Sequence, residues 1–475
     1  MTGFVTIPLW LFILLSASVI LAILDKVLIP STRWFIRRRI NRVIDEIGTR
    51  LDIGIKPFQI TKRQVLIDRL VYDAKVVEAI NKEARAKDIP RETVQRQVAA
   101  YAGEIVPSFN AYLYFRIGYW LAKKVARRLY RVRVGLIDNE QLSKIDPDAT
   151  VVFVMNHRSN MDYILVAFLA AERTTLSYAV GEWAKIWPLQ TLIRAMGAFF
   201  VRRNSSNPLY RKVLERYVNM AAREGVCQAV FPEGGLSRDG RLRNPKLGIV
   251  DYMLRDFDPD TDRDIIFIPV GLNYDRTLED RSLLRSLDPA AEKQSIWFVV
   301  KTSMGFIGKS LKLMVTSRWR RFGYACVNFG PYVSMRKYCD EHSVRFDRLE
   351  RPVRFREIEK LCRHLMGAIQ QVVPVLPVPL VARIFIDHPD KRLSAFDIEA
   401  CANRLIDEIQ SGGAPIYVSS RSRVQHIITA LNMLKIRRVV VEKDGYFHAD
   451  PQMQAILSYY ANSLDYWIPD NRTPL

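Results

Sequence analysis

Scarcity narrows the reading of this 475-residue chain before any motif does. Cysteine is sparse: Cys227, Cys326, Cys339, Cys362 and Cys401 are an odd number, widely spaced, with no C-x-x-C pair. That excludes a disulfide framework or a cysteine zinc site and suits a reducing compartment. H-E-x-x-H, G-x-S-x-G and G-x-G-x-x-G are all missing, so zincin, hydrolase and dinucleotide-binding readings lack their local signatures. Neither a cofactor nor a metal is expected. Residues 303–310 come near a phosphate-binding P-loop, but Ser303 stands where its first glycine belongs and compromises the tight turn. Acidic residues are the minority charge, 50 against 71 Lys+Arg, giving +21 and a pI near 9.8. This excess suits an anionic partner: nucleic acid, an anionic bilayer or a phosphorylated substrate.

Charge is absent altogether from residues 1–24. As a helix this stretch would be about 36 Å long, enough to cross a hydrocarbon core. A cleaved signal peptide fits less well, because no Lys or Arg precedes the run and no A-x-A site follows. Arg33, Arg37, Arg38, Arg39 and Arg42 come directly after it, so the positive-inside rule puts the rest of the chain in the cytoplasm. The expectation is a single-pass anchor at 1–27, in a bacterial inner membrane.

Residues 28–134 read as a helical connector. Its last part, 109–134, crowds Phe109, Tyr112, Tyr114, Phe115, Tyr119 and Trp120 ahead of Lys123, Arg127 and Arg131. Such a helix suits a membrane interface, with anionic lipids as partners, or ordinary packing against the next domain. The upstream span disfavours nucleic acid, the other partner of aromatic–basic segments. From 135 to 335 apolar runs at 150–155, 176–180, 197–201, 226–231, 265–270, 296–300 and 327–329 alternate with helical patterns, predicting an α/β domain with a largely parallel sheet. Residues 336–475 read as mostly helical, with short strand candidates at 415–418 and 437–441.

Histidine is rare too, six in all, and one stands out. The run Val151–Met155 predicts a buried strand, and the polar turn after it carries His157 and Asp162 to the start of a helix. A histidine beside an orienting carboxylate is a candidate general base. Ser159-Asn160-Met161-Asp162 equally fits a helix-capping pattern, and the two readings are compatible. The third run ends in Arg202-Arg203; side chains alternate on a strand, so one of the two enters a site, or both are solvated ends. The fourth leads into Glu233-Gly234-Gly235-Leu236-Ser237-Arg238-Asp239-Gly240-Arg241, with Lys246 beyond, which is an anion-binding turn or a glycine-rich surface turn. The fifth contains Pro269, which sheets accept mainly at edges or strand ends.

In order, 156–162, 197–203, 231–241 and 265–270 resemble the four motif blocks of the glycerol-phosphate acyltransferase superfamily. Glu-Gly-Gly followed by Ser-Arg and Gly-Arg, the Arg-Arg ending, and residues 456–463 resemble its membrane-bound glycerol-3-phosphate and dihydroxyacetone-phosphate branch. The resemblance implies a central sheet flanked by helices, and transfer of an acyl group from acyl-CoA or acyl carrier protein to the sn-1 hydroxyl of glycerol 3-phosphate. It implies His157 as the base, Asp162 as its orienter, and Arg202, Arg203, Glu233, Gly234, Gly235, Ser237, Arg238, Lys246 and Pro269 as binding or shaping residues. Leu236 departs from the branch, which commonly carries arginine there, so dihydroxyacetone phosphate or lysophosphatidate stay open as acceptors. A non-catalytic protein binding anionic surfaces or nucleic acid is the contrasting class.

Overall fold

Runs of β-branched and aromatic residues build the sheet. The computed structural model describes residues 56–135, 144–170, 175–181, 189–202, 205–285, 322–418 and 422–468. Strands in chain order are β1 Arg131–Val134, β2 Thr150–Met155, β3 Ser177–Val180, β4 Phe199–Phe200, β5 Gln228–Val230, β6 Ile265–Tyr274, β7 Tyr324–Phe329 and β8 Val333–Ser334. They form one eight-stranded sheet in the order β1-β7-β6-β2-β5-β3-β4, with β8 on β6. β6 pairs antiparallel with β7 and β8, and all other neighbours are parallel, so the sheet is mixed around a parallel centre. β2 lies between β5 and β6, and everything after Met155 therefore emerges at the middle of the carboxyl edge.

Both faces are covered, as the uninterrupted apolar runs require. Val152, Val154 and Phe267 face one buried cluster, which takes in helices Pro208–Arg223 and Arg351–Val372. Met155, Ile266, Ile268, Val270, Leu272 and Tyr274 face the other, under helices Tyr119–Leu129 and Met161–Ala170. Truncating a fully buried ring such as Phe267 in a core of this kind costs about 3–5 kcal/mol.

Two expected boundaries fall inside shared cores. Leu70, Val76, Val94, Val98 and Ile105 bury themselves in the same cluster as Val152 and Phe267, so the helices between 63 and 105 are part of the domain rather than a connector. β1 lies before residue 135 yet pairs with β7. Met335 and Ile358 likewise join the first cluster across the 335/336 division. The C-terminal part adds a small antiparallel sheet, β9 Leu393–Ser394, β10 Val440–Lys443 and β11 Tyr446–Ala449. Of the two strand candidates there, 437–441 overlaps β10, while 415–418 supplies only an isolated bridge from Ile416 to Val375.

Pro269 is not at a strand end. β6 runs on to Tyr274, and Pro269 pairs with Val154 at the sheet centre. Its other side falls between the β8 pairing, which ends at Phe267, and the β7 pairing, which begins at Val270. A missing N–H is tolerated there because the partner strand is changing. The anchor at 1–27, Arg203, and residues 296–310 lie outside the described residues. Among the described residues no helix is long and apolar enough to cross a membrane.

Candidate active site

The turn after β2 is locked on every side. Asn156 makes a two-bond clamp to β6, its Nδ2 donating to the Leu272 carbonyl (2.9 Å) and its Oδ1 accepting from Leu272 N (2.7 Å). His157 Nδ1 lies 2.9 Å from Asp162 Oδ2. The same oxygen accepts the backbone N–H groups of Arg158 (2.7 Å) and Ser159 (3.0 Å), while Asp162 Oδ1 accepts from the Tyr274 hydroxyl at 2.6 Å. The helix-cap and orienting readings of Asp162 are thus one arrangement: the carboxylate that organises the first turn also holds the imidazole. Ser159 Oγ accepts from Met161 N and donates to Glu279, whose other oxygen takes Asn160 N. Burial raises the Glu279 carboxyl above its usual range.

With an acceptor on its Nδ1 side, His157 carries that proton there and presents a lone pair at Nε2. Nε2 is buried and has no hydrogen-bond partner among the described residues. The ring stacks on Phe231 (4.1 Å between centroids) and meets Tyr163 edge-on. Orientation, tautomer and an unspent acceptor are what a general base needs.

Tyr274 is the residue sequence reading missed. Stopping the strand at Val270 hid it, although Val270, Leu272 and Tyr274 continue the alternation onto one face. Burial, reinforced by the Asp162 charge, pushes its phenol well above the ordinary value, so it stays a donor to Asp162.

The Glu-Gly-Gly turn is bound to the His157 turn backbone to side chain. Glu233 was expected to touch substrate; instead Oε1 accepts His157 N (2.8 Å) and Oε2 accepts Arg243 N (2.9 Å). Ser237 N donates to the His157 carbonyl (2.8 Å), and Ser237 Oγ bridges Arg241 O and Gly240 N. Glu233 and Ser237 are therefore braces of the loop. Gly234 has φ +68°, a region that favours glycine, while Gly235 is buried. Arg202 is spent on the other side of the sheet edge: it pairs with Glu104 (2.6 Å) and lies against the Tyr101 and Tyr210 rings. Arg238 and Lys246 are exposed beside the turn, and neither makes an ion pair among the described residues. Pro269 lies in the sheet beneath, paired with Val154.

Burial raises the Glu233 carboxyl to about 7, opposed by its two backbone donors and by the Arg158 charge. A carboxyl whose folded pKa is raised binds more protons folded than unfolded between about 4.5 and about 7, so it contributes a loss of stability as pH rises through that window. The loss should reach about 3 kcal/mol at most. Unfolding free energies of the native chain and of Glu233→Gln, compared from pH 4.5 to 7.5, should differ in slope there; parallel curves would show that Glu233 does not titrate in the window.

Residues 136–273 match the family model described as Acyltransferase, and residues 309–465 match that described as Glycerol-3-phosphate acyltransferase C-terminal region. The chain belongs to the glycerol-3-phosphate acyltransferase family. Curated relatives include the glycerol-3-phosphate acyltransferases of Xanthomonas axonopodis pv. citri (27% identical, over 90% of this chain and 48% of the relative) and Aeromonas hydrophila (26%, 90% and 53%). That of Pseudomonas entomophila is 31% identical over 68% of this chain and 38% of its own length. The chain thus spans about half the length, or less, of the curated relatives it matches.

The C-terminal region touches both motif turns. Arg158, 3% exposed, donates from Nη1 to the Gly240 carbonyl (2.6 Å), and its guanidinium lies 4.9 Å from the centre of the Tyr459 ring. Asn462 Nδ2 donates to the Asp239 carbonyl (2.8 Å), and Arg241 pairs with Asp465 (2.7 Å). Residues 456–463, noticed in sequence only as a resemblance, are the surface on which the third motif rests.

Proposed function

We propose that the chain transfers a fatty acyl group from a thioester, acyl-CoA or acyl carrier protein, to the sn-1 hydroxyl of glycerol 3-phosphate, giving lysophosphatidate. The carrying observation is His157, with Nδ1 fixed on Asp162 and Nε2 unspent. Nε2 takes the proton of the hydroxyl as its oxygen attacks the thioester carbonyl. The tetrahedral intermediate expels the thiolate, which takes the proton back from Nε2, so the enzyme ends as it began without a covalent intermediate. Arg238 and Lys246, free of carboxylates among the described residues, are the cations available to the acceptor's phosphate, in the place of the arginine that Leu236 replaces.

A membrane location is part of the proposal. Helix Tyr119–Leu129 buries Ala122, Ala126 and Leu129 and leaves Trp120 and Leu121 exposed, with Lys124 Nζ 4.6 Å above the Trp120 ring. Exposed rings interleaved with cations suit the head-group layer, downstream of a 1–27 anchor that leaves the catalytic part on the cytoplasmic side. Purified protein given labelled glycerol 3-phosphate and a long-chain acyl-CoA or acyl carrier protein should form lysophosphatidate, faster than it acylates dihydroxyacetone phosphate or lysophosphatidate. A preference for either of the other acceptors would reassign the substrate, and thioester consumption with none of the three would defeat the proposal.

A further inference from the structure

A cleft away from His157 is not used by the acyl-transfer chemistry. Asp275, just beyond the end of β6, reaches the start of β7, and the cleft opens there beside helix Arg423–Ile436. It holds about 450 Å³, within the range of small-ligand sites. Its floor and one wall are basic. Arg276, which lines the cleft, is half-buried with its guanidinium 4.1 Å over the Phe322 ring. Arg131, also in the lining, lies 5.9 Å from the Tyr324 ring, and Arg133, outside the lining, lies 6.0 Å from the same ring. Neither Arg131 nor Arg276 makes an ion pair within 4 Å among the described residues, although Asp275 faces the charge of the first and Asp280 that of the second.

The acid on the wall, Asp275, faces the Arg131 charge, but its oxygens are taken by backbone donors. Asp275 spends Oδ2 on Tyr324 N (2.8 Å) and Oδ1 on Val378 N (3.0 Å), and Arg437, also lining the cleft, is matched by Asp280. Burial and the nearby Arg437 charge lower the Arg276 pKa against the opposing Asp280 charge, and burial with the Arg131 and Arg133 charges lowers that of His426. Half-burial leaves the Arg276 charge partly desolvated, a cost that a bound anion relieves, while Arg131 stands exposed in the lining. Guanidinium forks match phosphate oxygens best. The opposite wall is apolar: Ala430, Met433 and Ile436 line it, and Ile436 (58% exposed) continues outward with Ile428 (42%) on the same helix.

We propose that this cleft is a second anion site that takes the phosphate monoester head of an amphiphile, with the methylenes next to the head on the Met433–Ile436 wall. The inference does not rest on acyl transfer. Full-length protein in neutral detergent would be treated with phenylglyoxal, and modification of Arg131 and Arg276 read by peptide mass spectrometry. The probes are dihexanoyl phosphatidate below its micellar range, dihexanoyl phosphatidylcholine and inorganic phosphate. Phosphatidate should slow modification of both arginines about ten-fold, phosphatidylcholine should not, and inorganic phosphate should need a far higher concentration. In Arg276→Gln, protection of Arg131 should require about ten-fold more phosphatidate. Equal protection by phosphatidylcholine, equal potency of inorganic phosphate, or undiminished protection of Arg131 in that variant would each overturn the assignment. Arg131→Gln, at an exposed position, gives the reciprocal reading on Arg276 should Arg276→Gln fail to fold.

Discussion

Replacing His157 by alanine should lower kcat by about 10³-fold, with the KM for the acceptor changed only a few-fold. An aliphatic hydroxyl is almost wholly protonated at neutral pH, so the reaction needs a base that collects the proton as the carbon–oxygen bond forms. The buried imidazole of His157 is fixed from one side and unpaired at the other: Asp162 Oδ2 holds Nδ1 at 2.9 Å, and Nε2 has no hydrogen-bond partner among the described residues. The four hydrogen bonds into the Asp162 carboxylate, from Nδ1, two backbone N–H groups and Tyr274, keep that orientation rigid. The variant should remain folded, because Asp162 keeps three of those donors and the Phe231 and Tyr163 rings still pack on each other at 4.9 Å. Initial rates against acceptor concentration, on protein whose melting matches the parent to within a few degrees, decide the matter. Full activity in the alanine variant would remove His157 from the chemistry.

The centre of this site could be read in sequence because its logic is local. A buried parallel strand writes itself as an unbroken apolar run, and the residues that cap the next helix follow within a few positions, so His157 and Asp162 announce themselves together. Glu233 shows where local reading stops. The sequence supplies a carboxylate beside paired glycines, but only the fold reveals that both oxygens are consumed by N–H groups of residues 157 and 243. Arg202 failed as a ligand for the same reason, its partner Glu104 lying on a helix that the charge pattern presented as a connector. Tyr274 was hidden behind Pro269, a residue that argues for a strand's end unless the change of partner from β8 to β7 is known. The Arg202–Glu104 and Tyr274–Asp162 contacts join residues 98 and 112 positions apart and leave no period in the chain. The C-terminal region was the least legible part, because its contribution consists of backbone carbonyls and single side chains laid against a loop.

Gly240→Ala should be the most destabilising small substitution in that loop, and should abolish activity with it. Gly240 sits at φ +91°, already unfavourable for an L residue, and a Cβ there would come within 1.9 Å of the Tyr459 carbonyl oxygen and 2.8 Å of its carbon. Those are backbone atoms of helix Gln454–Ala461, whose buried Leu457, Tyr459 and Tyr460 prevent it from yielding. The loop must move instead, and it cannot move alone: Gly240 O holds Arg158, Gly240 N holds Ser237, and Ser237 N holds the His157 carbonyl. Backbone strain and overpacking each cost roughly 1–3 kcal/mol. Gly413 and Gly445 supply the comparison, since both have positive φ (+85° and +80°) with nothing within 4 Å of a Cβ. Alanine at either should incur the conformational cost alone, about 1 kcal/mol, and leave turnover intact. Denaturant midpoints and initial rates for the three variants separate the effects. If Gly240→Ala were no less stable than Gly413→Ala, the C-terminal helix would not be fixing the loop, and the His157 turn would have to be regarded as self-supporting; a Gly240→Ala protein that is unstable yet retains full specific activity when folded would instead uncouple the loop's position from His157.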